Sequence, residues 1–376
     1  MELLYAFGIF CIQVIQDKFS DMEWHLDKLN QLYNPHMVLE YGFPVIAGID
    51  SVFGAQMLLA VAFGGWINTM LKWILVEDRP YWWVRETSYY EDSVRPTIRQ
   101  GPFTCETGPG SPSGHCAVAA TLFMLCNMWC SHMINDLGVP RLREIYNWLP
   151  LKTMYFSVMT GVGLARMYAG AHFPHQCLLG GLVGSFISPT VCLFVTDPFL
   201  FRSWQPAEVK RAVLKHIGGA VAAGVASLAL GILYIMMGID LHWATRLAFR
   251  WCTSADYIKV KSTPVFAIVQ TTASLLGWAL TVTPSITKYR FTSPRNHLLA
   301  LLGTVFLIYF FHHIQEHIPT RRVPFYASHF ILNLIKPFVY LRVLPAFATL
   351  GCSRPRPTAP SPPASQPAPP GGIKED

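Results

Sequence analysis

Apolar residues in this chain come in long blocks, not in narrow amphipathic stripes. The blocks fall at 36–49, 52–76, 115–134, 151–170, 176–196, 209–237, 264–283, 297–315 and 325–350, with short polar connections between them. A helix needs about 20 apolar residues to cross a ~30 Å hydrocarbon core. The pattern therefore predicts an all-α protein, a polytopic membrane helix bundle with about nine transmembrane helices. The first block is short and carries Glu40 and Pro44, which count against it as a span.

The ends read differently. Residues 1–35 are mixed; Leu3 to Ile15 is apolar but short, lacks a basic start and runs into Gln16-Asp17-Lys18. That is an interfacial or luminal amphipathic segment and not a cleaved signal. Residues 36–350 form the transmembrane domain. Residues 351–376 are rich in Pro, Ser and Ala and read as a disordered tail. The basic residues between the blocks divide almost evenly across the membrane. Arg354, Arg356 and Lys374 tip the balance toward a cytosolic tail.

Composition agrees with a membrane protein: of 376 residues 52% are hydrophobic and only 14% charged, against roughly a quarter charged in soluble domains. The net charge of +7 does not point to nucleic acid, because the cations are scattered among apolar spans instead of lining one face. None of the nine cysteines has a metal-ligand spacing. Cys105 lies in a polar loop, where a free thiol and a disulfide both fit. Tyr81-Trp82-Trp83 suits an interfacial anchor or a packed cluster under a loop equally well.

Three stretches carry chemistry. Lys72 and Arg79 stand seven apart, nearly two helical turns, which would put both cations on one face about 10 Å apart along the axis. Gly108-Pro-Gly-Ser-Pro-Ser113-Gly114-His115 forms a sharp turn directly before an apolar helix. Free N–H groups and the positive end of the helix dipole point out of such a turn, a ready anion site, and Ser113 can cap the helix or donate to a phosphate oxygen. In Arg166-Met-Tyr-Ala-Gly-Ala-His172 the guanidinium offers a fork for phosphate oxygens beside an imidazole that can attack phosphorus, with His175 as the rival nucleophile. All three stretches fall at one membrane face.

Lys-x6-Arg-Pro, Pro-Ser-Gly-His and Arg-x5-His resemble the three motifs of the type-2 phosphatidic acid phosphatase superfamily. More narrowly, Arg79-Pro-Tyr-Trp-Trp, Cys105-Glu-Thr-Gly-Pro-Gly-Ser-Pro-Ser-Gly-His115 and Ala171-His-Phe-Pro-His-Gln176 are similar to the glucose-6-phosphatase catalytic subunit family, over about residues 40–350. The resemblance implies nine transmembrane helices in the endoplasmic reticulum membrane with a luminal site. It implies hydrolysis of glucose 6-phosphate in gluconeogenesis and glycogenolysis, with a glucose-6-phosphate transporter as partner. By the same resemblance His172 is the nucleophile that forms a phosphohistidine and His115 the acid and base. Lys72, Arg79 and Arg166 then cradle the phosphate, with Ser113 and Gly114 donating from the turn. No metal or other cofactor is expected, since three cations already offset the phosphate charge.

Two departures stand out. Ala165 replaces the serine that usually precedes the third-motif arginine. A lost hydrogen bond to a charged group costs roughly 1.5–3 kcal/mol, so reduced turnover is expected. Gln176 stands where the wider superfamily has an aspartate, and points to the glucose-6-phosphatase branch. The alternatives are a lipid phosphate phosphatase of the same superfamily and a weakly active sugar-phosphate-binding regulatory membrane protein.

Overall fold

The computed structural model describes residues 1–289 and 294–350; the tail expected to be disordered, 351–376, lies outside the described residues. Among those described, helices account for almost all regular structure, and one isolated bridge joins Glu106 to Lys259. The elements that position the site are α1 (Glu2–Lys18), α2 (Glu23–Leu32), α3 (Ser51–Leu75), α4 (Pro80–Glu86), α5 (Gly114–Leu137), α6 (Leu151–Tyr168), α7 (Pro174–Val191), α8 (Pro206–Met236), α9 (Trp243–Trp251), α10 (Pro264–Thr281), α11 (Pro294–Glu316) and α12 (Arg322–Phe338).

Seven stretches among the described residues are long and apolar enough to cross a membrane: Ser51–Glu86, Gly114–Asn135, Pro174–Leu200, Pro206–Met236, Pro264–Thr281, Pro294–Glu316 and Arg322–Ala348. The chain is thus a multi-pass membrane protein. The nine expected blocks include two that are not among the seven. The helical run over 35–49 is short and changes to a wider π-turn at Val38–Gly42. Helix α6 has the length but carries Lys152 and Arg166.

Local signals set the helix starts. Asp50 caps α3, its carboxylate accepting from Val52 N and Phe53 N at 2.8 Å each. Prolines at the first helical position begin α4, α7, α8 and α10, where a missing N–H costs nothing.

Helix α3 forms the centre and packs against α5, α7 and α10. Between helices in lipid the hydrophobic effect offers little, so close backbone approach and polar contacts hold the bundle. Helices α5 and α7 illustrate both. A Cβ at Gly180 would lie 2.4 Å from the Ser113 carbonyl, so only glycine lets α7 approach the loop that carries the site. Ser188 Oγ donates to Thr121 O at 2.7 Å along the same seam. Trp278 of α10 donates its Nε1–H to Ala55 O of α3 at 2.8 Å. Glu40 is buried and paired with Lys336, and Gln315 donates to it at 2.7 Å; a charge at this depth is tolerated because it is neutralised there.

The N-terminal segment is part of the body. Helices α1 and α2 lie along α6; Leu26 and Asn30 are buried against it, and Tyr5, Ile9 and Ile12 are buried in a cluster with α4 and Phe173. Tyr81, Trp82 and Trp83 are buried too, with Trp82 edge-on to Trp243 and Tyr5 edge-on to Trp83. Of the two readings of these aromatics, the packed cluster holds.

Candidate active site

Lys72 and Arg79 do converge, but not along one helix face. Helix α3 ends at Leu75, and Val76 turns left-handed with φ +51°. A β-branched residue pays for this conformation with roughly 1–3 kcal/mol of strain. The turn breaks the expected helical spacing and leaves Arg79 extended just before Pro80. Both cations nevertheless reach Pro109 O, Lys72 Nζ at 2.6 Å and Arg79 Nη2 at 3.0 Å.

The polar loop 104–113 is tied on several sides. Gly110 N donates to Glu77 O at 2.7 Å and Ser113 N to Gln176 O at 3.0 Å. Lys259 N donates to Cys105 O and Thr107 N to Ser262 Oγ, both at 2.9 Å. A disulfide joins Cys105 to Cys252 at the end of α9, which settles the state of Cys105. Gly110 is required for close approach: a Cβ there would lie 2.2 Å from Asp78 O.

Glu106, on this loop, is the residue around which the site is built. Its carboxylate meets Arg79 Nη2 at 2.9 Å and Arg166 Nη2 at 2.7 Å. His115 Nδ1 lies 3.5 Å away and His172 Nε2 3.7 Å away. The first, second and third motifs thus surround one anionic group. Burial pushes the Glu106 carboxyl up, but the guanidiniums of Arg166 and Arg79 outweigh it and hold it well below the usual carboxylate range. Glu106 stands inside the second motif, where the sequence alone assigns it no role. A lone acidic residue in a loop carries no signal of what it will face.

His172 is fully buried. Its Nε2 stands 3.1 Å from Arg79 Nη1 and its Nδ1 3.3 Å from Gln176 Oε1. Gln176 cannot turn its amide around, because its Nε2 donates to Glu77 Oε2 at 3.0 Å and to Asp78 O at 2.8 Å. Its Oε1 therefore accepts from His172 Nδ1–H, and the lone pair of Nε2 faces the cations. Burial first, and the neighbouring Arg79 second, lower the His172 pKa well below the ordinary value, so the ring is neutral at physiological pH. The rival, His175, turns away: its Nε2 pairs with Glu77 at 2.9 Å, outside the cage.

Arg166 is buried, with Nη1 donating to Asn30 Oδ1 at 2.7 Å. Asn30 in turn donates to Ala165 O at 3.2 Å. The sequence offered no signal for Asn30, which comes from α2 in the segment read as peripheral. The Ala165 side chain packs with Leu26 and Tyr168 on the side of α6 facing the N-terminal helices. Ser113 precedes α5 but does not cap it. Its Oγ makes no hydrogen bond of normal geometry, its neighbours being the thiols of Cys116 and Cys177. Its N–H is already taken by Gln176, so the donors left at this turn are the Ser113 hydroxyl and the first N–H groups of α5, beginning with Gly114. No group of three His, Cys, Asp or Glu side chains among the described residues is placed to hold a metal ion.

A buried cage of two guanidiniums, an ammonium and a neutral imidazole at a helix N-terminus is equipped to hold a phosphoryl group and transfer it. The model of the PAP2 superfamily matches residues 53–199, which contain all three motifs. Fold and site thus define a membrane-embedded phosphatase of that superfamily, a phosphoric monoester hydrolase.

Comparison with curated proteins narrows this. The chain is 31% identical over 295 residues to glucose-6-phosphatase catalytic subunit 1 of Felis catus, covering 76% of this chain and 77% of the relative. It is 29% identical to the Rattus norvegicus protein of the same name over 92% of this chain and 95% of that one. It is 27% identical to glucose-6-phosphatase 2 of Mus musculus over 92% and 96%. The chain belongs to the glucose-6-phosphatase family. No solved structure matches it significantly.

Proposed function

We propose that the protein hydrolyses glucose 6-phosphate to glucose and phosphate through a covalent phosphohistidine at His172. The observation that carries this reading is the convergence of Arg79, Arg166, His115 and His172 on the single carboxylate of Glu106. An anion seat with a neutral nucleophile at its edge suits a phosphoryl group. The substrate is taken from the names of the relatives.

In this mechanism the phosphate enters the seat, and Lys72, Arg79 and Arg166 neutralise its oxygens, with Ser113 Oγ and Gly114 N as further donors. His172 Nε2 attacks phosphorus in line. The N–P bond forms as the P–O ester bond breaks, and His115 gives its proton to the departing sugar oxygen. Glucose leaves. Water then attacks the phosphohistidine, His115 takes its proton, the N–P bond breaks and inorganic phosphate leaves, restoring both histidines.

The same reading puts the protein in the endoplasmic reticulum membrane with the site, and residues 1–35, on the luminal side. The disulfide on the site loop supports this, because such bonds persist in oxidising compartments. A luminal site needs a partner that brings the charged substrate across the bilayer, a glucose-6-phosphate transporter.

Rapid quenching of the purified protein with radiolabelled glucose 6-phosphate tests the chemistry. An acid-labile, base-stable label is expected in the wild type and in His175→Ala, and none in His172→Ala. A label that persists in His172→Ala removes the nucleophile from this scheme. Hydrolysis of phosphatidate in preference to glucose 6-phosphate replaces the substrate.

A further inference from the structure

Beside the cage lies a cavity of about 630 Å³, within the ~300–1,000 Å³ range of small-molecule sites. Glu106, Lys72 and His115 form part of its wall, whereas His172 does not line it. Beyond them the wall includes Asn68 of α3, His36 and Gln270 of α10.

In-line displacement sets where the substrate must lie. The attacking nitrogen and the departing oxygen stand on opposite sides of phosphorus. With His172 behind the Glu106 seat and His115 on the cavity wall, the departing group extends into the cavity. His115 Nε2 is buried and has no partner, as an acid waiting for a leaving oxygen would be.

We propose that this cavity is the leaving-group subsite and that Asn68 and His36 bind the hydroxyls of a sugar there, with Gln270 holding His36 in place. The proposal rests on the hydrolase reading above. Asn68 is 6% exposed, and its Oδ1 has no hydrogen-bond partner. It stands next to the catalytic turn, with Nδ2 3.6 Å from where a Cβ would extend from Gly114. A buried amide oxygen without a partner is unfavourable, and a ligand hydroxyl would satisfy it.

His36 is held by a layer behind it. Gln270 Nε2 donates to His36 Nδ1 at 3.0 Å and to Glu40 Oε1 at 3.4 Å. Glu40 is itself fixed by Lys336 and Gln315. His36 Nδ1 is thereby an acceptor, and its Nε2 carries the hydrogen. The cavity thus offers an acceptor at Asn68 and a donor at His36, the complement of hydroxyls, which do both. An acyl chain would leave both unpaired. Sites built to bond a hydroxyl reject analogues that lack it far more strongly than apolar pockets reject a misfit.

The test uses the full-length wild type first. Glucose 6-phosphate is compared with its 2-, 3- and 4-deoxy analogues and with p-nitrophenyl phosphate. At least one deoxy analogue is expected to lose about tenfold in kcat/KM, one hydrogen bond's worth. Asn68→Leu and His36→Phe are then expected to raise KM for glucose 6-phosphate about tenfold, while p-nitrophenyl phosphate hydrolysis stays within about twofold. Equal rates for all deoxy analogues, or variants that lose both substrates alike or neither, overturn the subsite and leave the hydrolase reading standing. A wild type that cleaves p-nitrophenyl phosphate or phosphatidate but not glucose 6-phosphate overturns the functional reading and the sugar subsite with it.

Discussion

Gln176 Oε1 lies 3.3 Å from His172 Nδ1, at the sequence position where the resemblance to the wider superfamily implies an aspartate. The reason for an amide here is Glu77. Gln176 accepts from the imidazole and donates to the Glu77 carboxylate at 3.0 Å in the same conformation. A carboxylate could not donate, and two carboxylates at that distance would repel. Gln176→Leu is expected to lower kcat about tenfold or more, ~1.4 kcal/mol of barrier, with little change in KM. Gln176→Glu is expected to do at least as much harm. Adding Glu77→Gln to it recovers part of the loss, because the donor and acceptor have changed places. Steady-state kinetics of the four proteins check this; a double variant no better than Gln176→Glu refutes the wiring.

Glu106 makes a second prediction, about the protein without substrate. Its carboxylate bridges Arg79 and Arg166, so Glu106→Gln leaves two buried guanidiniums facing each other uncompensated. Breaking a buried pair costs about 3–5 kcal/mol. The variant should melt well below the wild type, and inorganic phosphate should raise its Tm more than it raises that of the wild type, because the anion takes the vacated place. Thermal melts across a phosphate series read this directly. Equal phosphate shifts in the two proteins would mean that the carboxylate and the phosphate do not share a seat.

Acidification tests the state of His172. Its pKa is held below the ordinary value of about 6.5 by burial and Arg79. The imidazole proposed as nucleophile therefore stays neutral as pH falls through that value. The acid limb of kcat/KM should instead follow the second ionisation of the phosphate ester, near 6, and move with it when an ester of different pKa is used. Stability runs the same way for both depressed groups. As pH falls the unfolded chain takes up protons that the fold refuses, at His172 from about 6.5 downward and at Glu106 from about 4.3 downward. Tm is expected to decline on acidification, starting near the first of these. An acid limb that ignores the ester's pKa contradicts the assignment.

The cations and histidines were legible in the chain because each sits in a short motif with its own spacing. What joins them was not. Asn30 reaches Arg166 across 136 residues, and Cys105 meets Cys252 across 147. No local pattern announces either contact. The Lys72–Arg79 spacing suggested one helix face, and Val76 gave no warning because a β-branched residue is the last expected in a left-handed turn. The apolar blocks carried the bundle well, since long spans are read from composition alone. The blocks at 36–49 and 151–170 are not among the seven described stretches long and apolar enough to span on length and composition alone.

Ala165 was expected to cost activity. In the structure its methyl packs with Leu26 and Tyr168, away from the cage, and Asn30 steadies Arg166 from below. Ala165→Ser should therefore change kcat/KM less than about threefold, while Asn30→Ala should lower it by about tenfold through the lost bond to a charged group. Kinetics of the two variants decide between packing and phosphate binding at this position; a large gain from the serine would restore the original expectation.

The disulfide closes a loop that begins one residue before Glu106 and ends after α9. It joins two strands of backbone that are also bonded through Lys259 N to Cys105 O and Thr107 N to Ser262 Oγ. Reduction is therefore expected to loosen the Glu106 loop without unfolding the helices, lowering kcat/KM for glucose 6-phosphate several-fold. Cys105→Ser and Cys252→Ser remove the same bond, so each should show the same loss and the double variant no more than either alone, the non-additivity of two halves of one interaction. Reductant should then have no further effect on any of the three. Losses that add in the double variant would mean that the two cysteines act separately and that the bond does not hold the loop.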